Sequence, residues 1–131
     1  MEKVRFGIFG AGRGSDFIKS VIACGGEVVA VCDLDKGRQK SRVIDKVGDS
    51  IKLYDDFDSF IEHDMDAVIV ANYFHEHASY AIRCLEKNIH VLSECTSNIS
   101  MGEGVQLVRA VEKSDAFYMI AENYPFMKFN Q

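Results

Sequence analysis

The sequence predicts an α/β domain built on a doubly wound parallel sheet of six strands in the order 3-2-1-4-5-6. Three observations predict it. Short apolar runs alternate with amphipathic stretches along the chain, a glycine-rich turn follows the first run, and an acidic residue closes the second. Strands alternating with helices imply parallel pairing through right-handed crossovers. A glycine-rich first turn marks the point where such a sheet reverses strand order and opens a ligand crevice.

The elements follow in order. Val4–Phe9 reads as the first strand, ending at Gly10, Gly12 and Gly14. Phe17, Ile18, Val21 and Ile22 then recur at helical spacing, and Gly25-Gly26 ends that helix. Val28–Cys32 is continuous and apolar, as a strand covered on both faces should be. A polar helix runs from about Asp35 to Val47, with Val43, Ile44 and Val47 to bury. Ile51–Tyr54 is a short third strand, and Asp55 or Asp56 can cap a short helix carrying Phe57, Phe60 and Ile61. Asp66–Ala71 is the fourth strand, followed by a helix with Ala78, Ala81, Ile82 and Leu85. His90–Leu92 is the fifth. Ser100 and Glu103 form a capping-box pattern before a helix with Val105, Val108 and Val111 on one face, and Phe117–Ala121 is the sixth strand.

At 131 residues the chain is one domain, spanning 1–131, and needs neither disulfide nor metal to bury a core. A net charge of -5 argues against nucleic acid and against an anionic membrane surface as partners. No apolar run approaches the roughly 20 residues that span a bilayer, and residues 1–6 lack the apolar stretch of a signal peptide. The expected location is cytoplasmic. Cys24, Cys32 and Cys84 sit among apolar residues and are expected as reduced core thiols; no pair has the spacing of a zinc or redox motif.

The ligand site should lie at the carboxyl ends of the strands. There the first turn reads Gly10-Ala11-Gly12-Arg13-Gly14-Ser15. Gly10 permits a tight turn, Gly12 lets a pyrophosphate approach the backbone, and the following helix start offers free N–H groups to an anion. The third glycine of the usual pattern would fall at Ser15, with Gly14 able to share its packing task, and Arg13 adds a cation beside the phosphates. Asp33 closes the second strand, 23 residues beyond Gly10. A carboxylate there accepts hydrogen bonds from both hydroxyls of an adenosine ribose and repels a 2′-phosphate, which favours NAD over NADP. The bland alternative is that Asp33 or Asp35 only caps the next helix. Arg38 and Arg42 could accommodate a 2′-phosphate, but are expected down the helix rather than at the strand tip. His75 and His77 lack the i, i+4 spacing of a metal-binding helix and are expected at a helix start or along the site. The whole is the Rossmann-type, dinucleotide-binding form of the fold.

Several blocks together resemble the N-terminal domain of the Gfo/Idh/MocA family of glucose–fructose oxidoreductases and inositol dehydrogenases. They are the glycine loop, residues 31–35, residues 66–72 with His75 and His77, His90-Val91-Leu92-Ser93-Glu94, and Ala121-Glu122-Asn123-Tyr124 with Phe126. The resemblance implies NAD(P)-dependent hydride transfer on a sugar, polyol or related hydroxyl compound. It implies that Gly10, Gly12, Arg13 and Gly14 hold the pyrophosphate end, Asp33 the adenosine ribose, Asn72 and His77 the length of the cofactor, and Glu94 and Asn123 the nicotinamide end. Two departures stand out. The family reads Glu-Lys-Pro after the fifth strand, and its lysine assists proton transfer; this chain reads Glu94-Cys95-Thr96, so its catalytic residue is unknown. The chain also stops at Gln131, where the family enters a substrate domain, so that domain is expected to be absent from this chain. A small-molecule substrate would then bind only with a second domain, and the chain alone is expected to be inactive. Homo-oligomers are left open. The alternative reading is a non-catalytic nucleotide-binding or sensing module.

Overall fold

Adjacent residues Ile8 and Phe9 show why this sheet is covered on both sides. Ile8 is buried in one apolar cluster with Ile18, Val31, Val43 and Ile69, while Phe9 packs into the other with Phe57, Phe60, Val70 and Leu85. Successive side chains of a strand point to opposite faces, so two separate cores require helices on both faces. The computed structural model describes residues 2–44 and 50–130. Its strands are β1 (Arg5–Phe9), β2 (Glu27–Cys32), β3 (Lys52–Tyr54), β4 (Ala67–Val70), β5 (His90–Ser93) and β6 (Tyr118–Ile120). All pair in parallel in the order β3-β2-β1-β4-β5-β6, as the sequence predicts. Phe9 is level with both Cys32 and Val70. That register brings Gly10, Asp33 and Ala71 together at one end of the sheet.

The helices depart from the sequence expectation in detail. The stretch after β1 is broken into α1 (Ala11–Gly14), a 3-10 turn (Ser15–Phe17) and α2 (Ile18–Ala23). Ile18 and Val21 are buried, but Ile22 is exposed, so the apolar stripe is narrower than predicted. Cys24 is exposed as well, because it falls at the carboxyl cap of α2; Cys32 and Cys84 are buried, and burial pushes both thiols up to about 12. After β2, α3 (Lys36–Gln39) passes into a π-helical turn (Lys40–Ile44) that buries Val43. The predicted Val47 lies outside the described residues.

Asp56, not Asp55, caps α4 (Phe57–Phe60), accepting from Ser59 N at 2.7 Å. α5 (His77–Glu86) buries Ala78, Ala81, Cys84 and Leu85. α6 (Met101–Lys113) opens on the expected cap, with Ser100 Oγ accepting from Glu103 N at 3.2 Å and Glu103 Oε2 accepting from Ile99 N at 2.8 Å. Its buried face is not the predicted one. Leu107 is buried and Val111 partly so, whereas Val105 and Val108 are exposed. The reason is position: α6 packs mainly against α5, and β6 is the edge of the sheet, with no further strand beyond it among the described residues. Among the described residues, no helix is long and apolar enough to cross a membrane.

Candidate functional site

The turn after β1 is held by its glycines in different ways. Gly10 has φ +97°, and a Cβ there would lie 2.4 Å from Ala71 O. A Cβ on Gly14 would lie 2.4 Å from Ile8 Cγ2, so this glycine lets the helix pack on β1. The close-packing task that the usual motif gives to its third glycine therefore falls one residue early, at Gly14. Ser15 is buried behind it and donates from Oγ to Gly12 O at 3.1 Å. Gly12 is the opposite case: beyond its chain neighbours and its own helix backbone, no heavy atom lies within 4 Å of where its Cβ would be.

Asp33 is 7% exposed, and its carboxylate ties the turn to the next loop. Oδ2 accepts from Ala11 N and Oδ1 from Asp35 N, each at 2.8 Å. Each oxygen retains lone-pair capacity on its other side. The alternative reading of a helix cap belongs to Asp35, whose Oδ1 accepts from Gly37 N at 2.8 Å and Arg38 N at 3.2 Å. Arg38 itself does not point away down the helix as expected. It reaches the same cavity as Asp33, and a hydrogen bond to Tyr73 with the nearby Asp33 carboxylate holds it firmly charged.

These groups line a cavity of about 820 Å³, within the size range of small-molecule sites. Gly10, Gly12, Arg13, Asp33 and Asn72 of the sequence-predicted residues line it; Gly14, His77, Glu94 and Asn123 do not. His77 is 1% exposed, and its ring clamps two loops together. Nδ1 lies 2.9 Å from Glu94 O and 3.0 Å from Thr96 O, and Nε2 lies 3.3 Å from Asn72 O. Glu94 is committed to Arg13, with Oε1 accepting from Nε at 2.9 Å and Nη2 at 2.8 Å, while its Oε2 accepts from Cys95 N at 2.9 Å. Arg13 also reaches Asp16 at 3.2 Å, so it is a cation already shared between two carboxylates. Asn123 is exposed at the start of the 3-10 turn Tyr124–Phe126.

Cys95 stands at the position for which the resemblance implies a lysine. Its thiol donates to Glu122 Oε2 at 3.1 Å, and that bond, with partial burial and the Glu122 and Glu94 charges, pushes it above its ordinary value. A raised thiol is the wrong direction for a nucleophile, since the thiolate is the reactive form. Among the described residues no cluster of His, Cys, Asp and Glu could hold a metal ion.

Leu34, Phe57, Tyr73, Glu76 and Tyr80 also line the cavity, and of these sequence reasoning passed over Leu34, Phe57 and Tyr80. Tyr73 and Glu76 follow β4 and lay within reach of the strand-end rule. Phe57 and Tyr80 come from α4 and α5, and no local pattern marks them. A dinucleotide fits the cavity on two counts: the open space over Gly12, and the buried Asn72 Oδ1, which has no hydrogen-bond partner. Asn72 Nδ2 must face the accept-only carboxylate of Glu76, at 2.9 Å, so Oδ1 is the end left over for a donor.

A sequence model described as "Oxidoreductase family, NAD-binding Rossmann fold" (GFO_IDH_MocA) matches residues 4–122. The chain is 30% identical over 115 residues to inositol 2-dehydrogenase of Salmonella paratyphi B, covering 85% of this chain and 34% of that protein. It is 36% identical over 95 residues to inositol 2-dehydrogenase 1 of Saccharopolyspora erythraea, covering 70% of this chain and 28% of that protein. The chain thus spans about a third of the length of the curated relatives it matches. Among solved structures, myo-inositol dehydrogenase of Lactobacillus casei, in complex with NAD(H) and myo-inositol, superposes with a TM-score of 0.86 at 20% identity, covering 97% of this chain and 39% of that one.

Proposed function

The chain belongs to the Gfo/Idh/MocA oxidoreductase family as its NAD-binding Rossmann domain, and from that premise we propose that its cavity takes NAD with the adenosine ribose on Asp33, for hydride transfer on a sugar or polyol. The observation that carries the reading is Asp33: a buried carboxylate, fixed by two backbone N–H groups on the cavity wall, with acceptor capacity to spare. In this arrangement Gly10 shapes the turn and Gly12 leaves room for the pyrophosphate. Asn72 offers its unpartnered oxygen, and His77 positions the loops that carry Asn72 and Glu94. NAD, when bound, supplies the hydride-accepting ring. The inositol dehydrogenases among the relatives support a cyclic polyol or sugar as substrate. An NAD-dependent role supports a cytoplasmic location, with the cofactor pool.

The cofactor preference is tested by titrating NADH and NADPH and following the melting temperature. NADH is expected to stabilise at lower concentration, because Asp33 is an anion where a 2′-phosphate would sit. Arg38 at the same cavity sets a limit on that preference, so the NADPH response is expected to be weaker rather than nil. Equal or stronger stabilisation by NADPH would overturn the assignment of Asp33.

Turnover is tested separately, by NADH formation over a panel of polyols and aldoses. The 131-residue chain alone is expected to give none. A positioned proton-transfer group contributes about 10²–10⁴-fold, and Cys95, holding its proton against Glu122, cannot stand in for an ammonium donor. Substrate positioning contributes about 7–11 kcal/mol more. Cys95→Lys is therefore expected not to rescue the isolated chain. Substrate-specific turnover by the chain alone would show that it builds a complete active site.

A further inference from the structure

A dinucleotide laid along this cavity has its parts in a fixed order. With the pyrophosphate over Gly12 and the ribose on Asp33, the base falls to the part of the lining that remains, which includes Leu34, Arg38, Tyr73 and Glu76. The polar groups there are mostly committed. Asp35 caps α3, Lys36 Nζ is 2.8 Å from Asp55 Oδ2, and Arg38 is engaged by Asp35 and Tyr73. Glu76 differs. Its Oε2 accepts from Asn72 Nδ2, and among the described residues no cation pairs with it and no donor reaches Oε1. It is a partly buried carboxylate with a free acceptor on the wall of an aromatic-floored cavity.

Resting on the nucleotide reading above, we infer that Glu76 reads the base, accepting a hydrogen bond from the 6-amino group of adenine and discriminating against a 6-oxo purine. A carboxylate can only accept. An exocyclic amine is a donor and satisfies it, whereas a 6-oxo group places an acceptor against it and leaves both unpaired. The neighbouring Asn72 supports this role, since its amide holds Oε2 and fixes the carboxylate while leaving Oε1 to the ligand.

The probe is reduced nicotinamide hypoxanthine dinucleotide, which differs from NADH only in carrying the 6-oxo group. Affinities for both are measured by calorimetric titration. The wild-type chain is expected to bind NADH about tenfold more tightly, the low end for a hydrogen bond to a charged group at a partly exposed site. In Glu76→Gln the amide can donate to the 6-oxo group as well as accept from the 6-amino group, so the ratio is expected to fall to about twofold or less. In Glu76→Ala it should collapse through weaker NADH binding. Equal wild-type affinities, or a ratio unchanged in both variants, would overturn the inference while leaving the nucleotide site standing. Failure of the wild type to bind either compound would overturn both.

Discussion

Gly12→Val is expected to leave the fold standing and to remove NADH binding. The two halves of this expectation rest on one observation, the empty space where the side chain would go. Beyond its chain neighbours and its own helix backbone, nothing lies within 4 Å of that Cβ, so the fold has nothing there for a side chain to displace. Gly12 also sits in helical backbone within α1, where valine costs no more than glycine itself. The melting temperature is expected to stay within a few degrees of the parent. In the proposed complex that same space holds the pyrophosphate, and a branched side chain would displace it. A loss of about 100-fold or more in NADH affinity is expected. Gly10→Ala provides the contrast. Its left-handed φ costs an alanine about 1–2 kcal/mol, and its Cβ would meet Ala71 O at 2.4 Å, a backbone atom that cannot swing aside. That variant should be clearly destabilised, by about 2 kcal/mol or more, before any question of ligand. Circular dichroism melts separate the two effects. A Gly12→Val variant that binds NADH as the parent does would mean that the pyrophosphate lies elsewhere.

The difference between Gly12 and Gly10 also shows what the sequence can disclose. Sheet order and the converging strand ends were readable because they follow from periodicity and from backbone demands at single positions: a turn that needs Gly10, a strand tip that presents Asp33. What depends on how separate elements meet was not readable. Phe57 and Tyr80 enter the cavity from α4 and α5, and their rings pack with Phe9, at centroid distances of 4.7 Å and 4.5 Å, only once β1 lies between them. Arg38 reaches the cavity because α3 is a single turn before the helix changes to π geometry, a change no residue in 36–44 announces. Val105 and Val108 have the spacing of a buried face, but helical spacing does not say whether a sheet continues beneath the helix. Cys24 reads as a core thiol by its neighbours and is exposed by its place at a helix end. At position 15 the motif asked for a glycine, and the packing it serves is met at Gly14 instead.

The remaining large effect is at Asp33, where structure and recognition share one side chain. Asp33→Ala leaves Ala11 N and Asp35 N without their acceptor, the first at a buried site and the second at a partly buried one. Hydrogen bonds to a charged group contribute about 1.5–3 kcal/mol each, less whatever water recovers. A loss of about 2–3 kcal/mol in unfolding free energy is expected, a large share of the total for a domain of this size. Asp33→Asn keeps one acceptor oxygen but turns an NH2 toward the other N–H, so it should recover part of that stability and no more. NADH affinity is expected to fall tenfold or more in Asp33→Ala, because the ribose hydroxyls lose their acceptor. The NADPH response should move the other way relative to NADH. With the Asp33 charge gone, Arg38 remains at the cavity as a cation opposed only by Asp35, so the preference for NADH should narrow. Measuring both affinities well below the variant's melting temperature keeps the stability loss out of the comparison. If Asp33→Ala melts early but keeps the parent's NADH affinity and its preference over NADPH, then Asp33 only braces the glycine turn, and the ribose is held by some other group.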